Sequence, residues 1–457
     1  MSARSSQLVI VGAGLAGSEA ALTAARLGAQ VKLVDMKPAE LTPAHNMPLF
    51  AELVCSNSLK SNRPETAQGL LKRELRSLGS KLIRIADQTA VAAGGSLSVD
   101  RDAFAGKVTA AIREHPSIQV LEERVDSLDS LLADADPVLI ATGPLTAGGL
   151  YDSIQQLTGS QGLHFYDAVA PIVDAQSIDY DQAFYASRYD KGGADYLNCP
   201  LSEEDYKAFR RALLDAERAP LQDFDRVYFK DCLPIEVLAE RGEDTMRFGP
   251  LRPVGLIDPR TGKRPYACLQ LRRESGSASM WSLVGCQTRL TFPEQRRVFG
   301  LIPALRRADF FRYGVMHRNS FLKGPAVLGK GFQSKRRSDL FFAGQLTGLE
   351  GYVEAITSGL LAGTQAAGRL LGLDAGQLTS LLPPKETMSG ALAAWVTEAD
   401  PETFQPMNAN FGLLPLEGMR IKKKDRPGIR IERSDRAISQ VKEKMDLYFP
   451  KQEAAYE

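Results

Sequence analysis

Cysteine is scarce in this chain and follows no pattern. There are five in 457 residues (Cys55, Cys199, Cys232, Cys268 and Cys286), and no two form C-x-x-C. An odd count without ligand spacing excludes a disulfide framework and a zinc site, and fits a reducing cytoplasm. Histidine is scarcer: His45, His115, His164 and His317 are scattered, so no metal centre is expected. No apolar run is long enough to span a bilayer, and Met1 to Ser6 lack the apolar stretch of a signal peptide. A surplus of charge is missing too. With 56 basic and 55 acidic residues the net charge is +1, so any attraction for nucleic acid must come from local clustering. The remaining composition is that of an ordinary globular protein, and the length allows about three domain-sized units.

The most informative stretch is Gln7 to Lys37. Gln7-Leu8-Val9-Ile10-Val11 has the apolar run of a buried parallel strand. Gly12-Ala13-Gly14-Leu15-Ala16-Gly17 follows and matches G-x-G-x-x-G. Ser18 to Leu27 is Ala-rich and free of Pro, reads as a helix, and ends at Gly28; a second strand then closes on Asp35. In this context Gly12 permits the tight turn, Gly14 lets backbone approach a pyrophosphate, and Gly17 lets helix and strand pack. The helix start offers N–H groups to that pyrophosphate, and Asp35 is placed for a ribose hydroxyl. The stretch predicts a bound dinucleotide.

Beyond Asp35 a Pro-broken connection leads to Phe50-Ala51-Glu52-Leu53-Val54-Cys55-Ser56-Asn57-Ser58, where three small polar residues suit a turn or helix cap. Cys55 reads either as a small buried hydrophobe or as part of an active-site wall. Val138-Leu139-Ile140-Ala141-Thr142-Gly143 is another buried strand ending in Ala-Thr-Gly, similar to the second FAD motif of flavoproteins. From about His164 tyrosines become frequent and the βαβ rhythm stops. We expect an α/β protein: a Rossmann-like FAD-binding domain of glutathione-reductase type at 1–165 and 324–457, interrupted by a smaller α+β insertion at 166–323. Within the insertion, Cys232 stands beside acidic residues, and Arg247 and Arg252 lie on a Pro-rich loop suited to an anionic substrate. Asp339 to Gln345 and Gly348 to Glu354 repeat the strand–glycine–helix pattern. In flavoproteins such a late element approaches the diphosphate and the flavin ring, so the likeness implies that Gly344, Gln345, Glu350 and Gly351 face the cofactor, with Gln345 where an acidic residue is usual. A helix of small residues then runs from Ala355 through Gly359 and Gly363. No second G-x-G-x-x-G is found, so a nicotinamide donor would bind transiently at the flavin.

These blocks together resemble the bacterial folate- and FAD-dependent tRNA uracil-5-methyltransferases, smaller relatives of the glucose-inhibited division proteins. The likeness rests on G-A-G-L-A-G-S-E-A-A from Gly12, F-A-E-L-V-C-S-N-S-L from Phe50, C-L-P-I-E-V from Cys232 and R-F-G-P-L-R-P-V-G-L from Arg247. V-G-C-Q-T from Val284, M-H-R-N-S-F from Met316, F-F-A-G-Q from Phe341, G-Y-V-E from Gly351 and P-M-N-A-N-F-G-L from Pro406 extend it through nearly the whole chain. Asp35, Cys268 and Cys286 depart from the family pattern, which would have Glu, an aliphatic and an aromatic there. The resemblance implies methylation of carbon 5 of a T-loop uridine in tRNA. The carbon comes from 5,10-methylenetetrahydrofolate, and reduced FAD, recharged by NADPH or NADH, supplies two electrons. It also implies that Cys55 and Cys232 are the functional pair, because carbon 5 needs a thiolate on carbon 6 to become nucleophilic. Which one attacks stays open, with Cys232 preferred. Glu350 and His317 are further candidates for folate or substrate contacts.

Other readings are the same chemistry on ribosomal RNA, wobble-uridine modification, and a small-molecule flavin oxidoreductase. The second would bring a long helical C-terminal domain, for which this chain stops too soon; the third would leave two cysteines idle. A non-enzymatic RNA-binding protein with structural FAD is a fourth. RNA is favoured by charge: from Glu294 to Arg337 eleven Lys or Arg face two acidic residues, and from Met419 to Lys444 ten face four. Arg336, Arg337 and Lys422 to Lys424 are candidate phosphate contacts, and Tyr313 and Phe321 candidate stacking residues. A membrane partner is not expected, and nothing in the sequence sets the oligomeric state.

Overall fold

The computed structural model describes residues 6–132, 136–146, 148–159, 163–168, 170–190, 193–219, 233–274, 279–415 and 425–449, with the side chains of 163–168, 190 and 316–318 left out. Cys232 and Lys422 to Lys424 fall outside these residues, and for His317 only the backbone is described.

Five short apolar strands form a parallel sheet in the order Leu340–Phe342, Val138–Ile140, Leu8–Val11, Val31–Asp35, Ile118–Glu122. The three central and left-hand strands are almost wholly buried, as parallel strands covered on both faces must be. Leu8–Val11 is in the middle. From it the chain runs outward to one side through Val31–Asp35, and returns on the other through Val138–Ile140 and Leu340–Phe342. Ligands bind such sheets at the carboxyl ends of the strands, where the winding reverses.

Two long helices cover one face, Leu15–Arg26 and Tyr352–Leu370. Their approach requires the small residues. A Cβ on Gly359 would lie 2.2 Å from the Ala16 carbonyl oxygen, and one on Gly363 would lie 2.8 Å from Ala20 Cα. The glycine stripe therefore lets two backbones touch, with the start of the Leu15 helix packed about two turns into the Tyr352 helix.

A second, six-stranded antiparallel sheet is drawn from residues 172–312, in the order Phe184–Ala186, Tyr196–Leu201, Ala267–Arg273, Met280–Leu283, Ile172–Asp174, Phe310–Arg312. It has its own core of Leu197, Tyr206, Phe209, Trp281 and Phe299, separate from the core around Ile10, Phe104, Phe341 and Leu360. Each such buried side chain contributes about 1.5–3 kcal/mol. The strands Leu163–Ala168 and Met316–Phe321 pair antiparallel where the chain passes between the two sheets. The C-terminal helix Arg426–Tyr448 is anchored by Glu74, whose buried carboxylate accepts from Ser434 Oγ (2.7 Å), Met388 N (2.7 Å) and Ser389 N (2.8 Å). Among the described residues no helix is long and apolar enough to cross a membrane.

Candidate active site

A cavity of about 620 Å³ opens at the carboxyl ends of the parallel strands. Gly12, Gly14, Leu15, Ala16, Asp35, Thr142, Gly143, Gly344, Gln345, Glu350 and Gly351 line it, and so does Cys55. Ala13 and Gly17 do not. Ala13 is buried and donates its N–H to Asp35 Oδ2 at 2.5 Å, and a Cβ on Gly17 would lie 1.7 Å from the Gly12 carbonyl oxygen. Gly17 thus serves the turn, and Gly14 the cavity: a Cβ on Gly14 would meet no protein atom within 4 Å. Gly12, at φ +99°, adopts the left-handed region that the turn needs, and its missing side chain keeps it clear of Ala141.

Both long helices begin at this cavity on a glycine, Gly14 and Gly351, and neither start has a side-chain cap. Their first N–H groups are therefore available to an anion, with two helix dipoles behind them. The open space at Gly14, the two helix starts and the acid at the end of the second strand together fit FAD. Asp35 is only partly free for that role. It accepts from Ala13 N and, at 2.8 Å, from Lys37 N, which leaves about two of its four lone-pair sites. Gln345 donates its amide to Glu350 Oε1, so the residue replacing an acid is itself tied to one.

The Cys55 loop is held from three directions. Tyr352, the first residue of its helix, accepts through its hydroxyl from Cys55 N (2.6 Å) and Ser56 N (3.0 Å). Burial, with Cys55 beside it, pushes the Tyr352 phenol well above its usual range, so it stays protonated. Arg312, on the last strand of the antiparallel sheet, donates to the Val54 carbonyl at 2.7 Å. Asn57 is wholly buried; its amide donates to Arg273 O (2.8 Å) and Val99 O (2.9 Å), and its oxygen accepts from Arg272 Nε (2.9 Å). The small polar run after Cys55 thus makes a turn, with Ser58 N on Ser56 Oγ at 3.1 Å, and then a bridge between the sheets rather than a helix cap. Burial and the neighbouring Arg101 push the Arg312 guanidinium down, while Cys55 holds it up. A cation so placed favours the thiolate, which is the nucleophilic form of cysteine.

The other described cysteines are of a different kind. Cys199, Cys268 and Cys286 are completely buried, and burial pushes their thiols up, that of Cys268 to about 12. They are inert core residues.

Several expected RNA contacts are placed elsewhere. Arg312 is turned inward onto the cysteine loop, and Phe321 is buried against Phe404. Arg337 is paired with Asp339 at 2.7 Å, and Arg336 donates to the Leu157 carbonyl; both precede the strand Leu340–Phe342, at the sheet edge opposite the cavity. Arg252 is exposed and does not line the cavity. Two further residues carry no signal in the sequence pattern: Arg272, which does line the cavity, and Lys72.

Lys72 is wholly buried beneath the Cys55 loop, donating to the Leu59 carbonyl at 2.7 Å. Burial lowers it to about 7, partly opposed by Glu354 on the cavity wall and Asp87, and aided by Arg76 and Lys60. The unfolded lysine titrates near about 10.4, so between those values the unfolded chain holds the extra proton and stability rises with pH. Measured against Lys72→Met, the wild-type melting temperature should gain as pH goes from 7 to 9. Parallel pH profiles would contradict this.

The chain was compared with known proteins. A family model described as Glucose inhibited division protein A matches residues 7–374. The methylenetetrahydrofolate–tRNA-(uracil-5-)-methyltransferase TrmFO of Brevibacillus brevis is 52% identical over 418 residues, 91% of this chain and 93% of that protein. That of Desulfitobacterium hafniense is 52% identical over 439 residues, 96% and 98% of the two chains. Among solved structures, Aquifex aeolicus GidA in its form II crystal superposes with a TM-score of 0.67 at 16% identity, covering 97% of this chain and 74% of that one. At that identity the likeness carries the fold alone. By the family model and by half its residues, this chain belongs to the glucose-inhibited division protein A family and, within it, to the methylenetetrahydrofolate–tRNA-(uracil-5-)-methyltransferases.

Proposed function

We propose that this chain methylates carbon 5 of a uracil in tRNA, taking the carbon from 5,10-methylenetetrahydrofolate, with FAD in the cavity and NADPH or NADH as the source of electrons. The observation that carries this reading is the placement of Cys55. It lies on the wall of the dinucleotide cavity, braced by Tyr352 from one side and by the antiparallel sheet from the other.

The two glycine-led helix starts would hold the FAD pyrophosphate, and Asp35 with its remaining lone pairs the ribose. FAD, when reduced, supplies the two electrons that separate a methylene from a methyl group. The chain's own residues do the rest. Tyr352 fixes the Cys55 backbone, and Arg312 favours its thiolate. Cys232 is proposed as the other thiol of the pair, and as the preferred one to attack the uracil, with Glu350 and His317 as contacts for folate or uracil.

The test is to incubate the protein with unmodified tRNA, FAD, labelled methylenetetrahydrofolate and either NADPH or NADH, and then digest the RNA. Label in 5-methyluridine at one tRNA position, and none in a ribosomal RNA fragment, is expected. Label confined to ribosomal RNA, or to no RNA, would overturn the assignment.

A further inference from the structure

On the antiparallel sheet, beside the cavity wall, three aromatic rings form a column. Tyr313 lies between Phe310 (centroids 5.1 Å apart, 6° between planes) and Phe292 (4.6 Å, 14°). The inner end leans on the buried Phe299, and the outer ring, Phe292, is 51% exposed. Aromatic pairs prefer offset-stacked or edge-to-face arrangements, and a near-parallel column that ends in solvent leaves one flat face unstacked. Both faces of Tyr313 are covered, so the ring offered to a partner is that of Phe292.

The surroundings are cationic. Arg296 donates to the Tyr313 hydroxyl at 2.8 Å, and Arg306 and Arg307 are exposed. Of the two carboxylates between Phe292 and Tyr313, Glu294 is taken by Arg297. No ion pair engages Arg296, Arg306 or Arg307 among the described residues. Tyr313 follows Arg312 in the chain, and Arg312 holds the loop of Cys55 through the Val54 carbonyl.

We propose that Phe292 is a stacking platform for an unpaired base of the RNA substrate, with Arg296, Arg306 and Arg307 neutralising its backbone. This rests on the tRNA reading above and names the surface by which the RNA is held. Single-stranded loops present splayed bases that stack on aromatic rings whatever their identity, and phosphates supply the opposite charge. A lone exposed phenylalanine would ask for no explanation; one that caps a stack beside three arginines with no ion pair among the described residues does.

The test compares Phe292→Leu, which keeps apolar bulk without a ring, with Phe292→Trp, which keeps the ring. Binding of unmodified tRNA is titrated at several salt concentrations, with methyl transfer and flavin content measured on the same preparations. Phe292→Leu should raise Kd and KM for tRNA roughly 5- to 100-fold, the range of one lost base stack, with kcat at saturating tRNA, flavin content and salt slope unchanged. Phe292→Trp should bind as wild type. Arg306→Gln with Arg307→Gln should lower the salt slope by about two. Wild-type affinity in Phe292→Leu would overturn the platform. So would unchanged affinity with loss of self-association, which would make the column a contact between copies. Wild-type protein that binds tRNA through Phe292 but transfers no methyl group would instead refute the proposed reaction and leave the platform standing.

Discussion

Cys55→Ala should keep its flavin and lose methyl transfer. The thiol lines the cavity, but the helix starts proposed to hold the cofactor are built from Gly14 and Gly351 and do not depend on it. The bonds that hold the loop run through the Cys55 backbone, Ser56, Val54 and Asn57, so alanine leaves the bracing in place. The size of the loss identifies the role. A residue that only moves a proton contributes about 10²- to 10⁴-fold. Loss of a covalent nucleophile costs on the order of 10⁶-fold where it has been measured. Cys232→Ala, assayed in parallel, should show the complementary value, and trapping of a protein–RNA adduct by only one of the two variants would separate nucleophile from partner. Cys199→Ala is the control, since its thiol is buried in the antiparallel core and held neutral. Near-normal turnover in both Cys55→Ala and Cys232→Ala would end the thiol mechanism.

What the sequence conveys and what it hides follow from the range of the interactions. The turn at Gly12–Gly17 is legible because its demands are local: a positive φ at Gly12 and a missing Cβ at Gly17 are conditions that a six-residue pattern can state. The glycines of the Tyr352 helix are visible too, though their partners, Ala16 and Ala20, lie more than three hundred residues away. Charge is where reading fails. Arg312 sits in a run of basic residues that looks like a solvated surface. Strand geometry then turns it inward to the Val54 carbonyl, while Arg306 and Arg307 remain outside. Lys72 has ordinary helical neighbours, and only the crossing of the Ser58–Ser61 strand over its helix buries the ammonium against Leu59 O. Asp35 was legible in position but not in engagement, since its bonds to Ala13 N and Lys37 N depend on the folded loop. Phe321 and Tyr313 look alike in sequence; one is core, the other the middle of a stack.

The second large effect distinguishes two glycines three residues apart. Gly14→Val should fold and bind little flavin. Its Cβ would point into space that holds no protein atom within 4 Å, so the protein itself has nothing to clash with. The valine methyl groups would instead fill the gap between the backbone and a pyrophosphate. Overpacking of about 1–3 kcal/mol, with loss of charge-assisted hydrogen bonds worth about 1.5–3 kcal/mol, implies FAD binding weaker by at least about 60-fold. Gly17→Val should fail differently. Its Cβ would lie 1.7 Å from the Gly12 carbonyl oxygen and 2.9 Å from the carbon, both backbone atoms of the turn, so helix and turn must separate. That change disrupts the fold and yields aggregated protein. Purification, absorbance of the bound flavin and thermal melting of the apoproteins distinguish the two. Apo-Gly14→Val should melt close to the wild-type apoprotein. Full FAD occupancy in Gly14→Val would mean that the pyrophosphate does not lie on this turn, and a soluble, flavin-loaded Gly17→Val would mean that the turn is not built as the geometry has it.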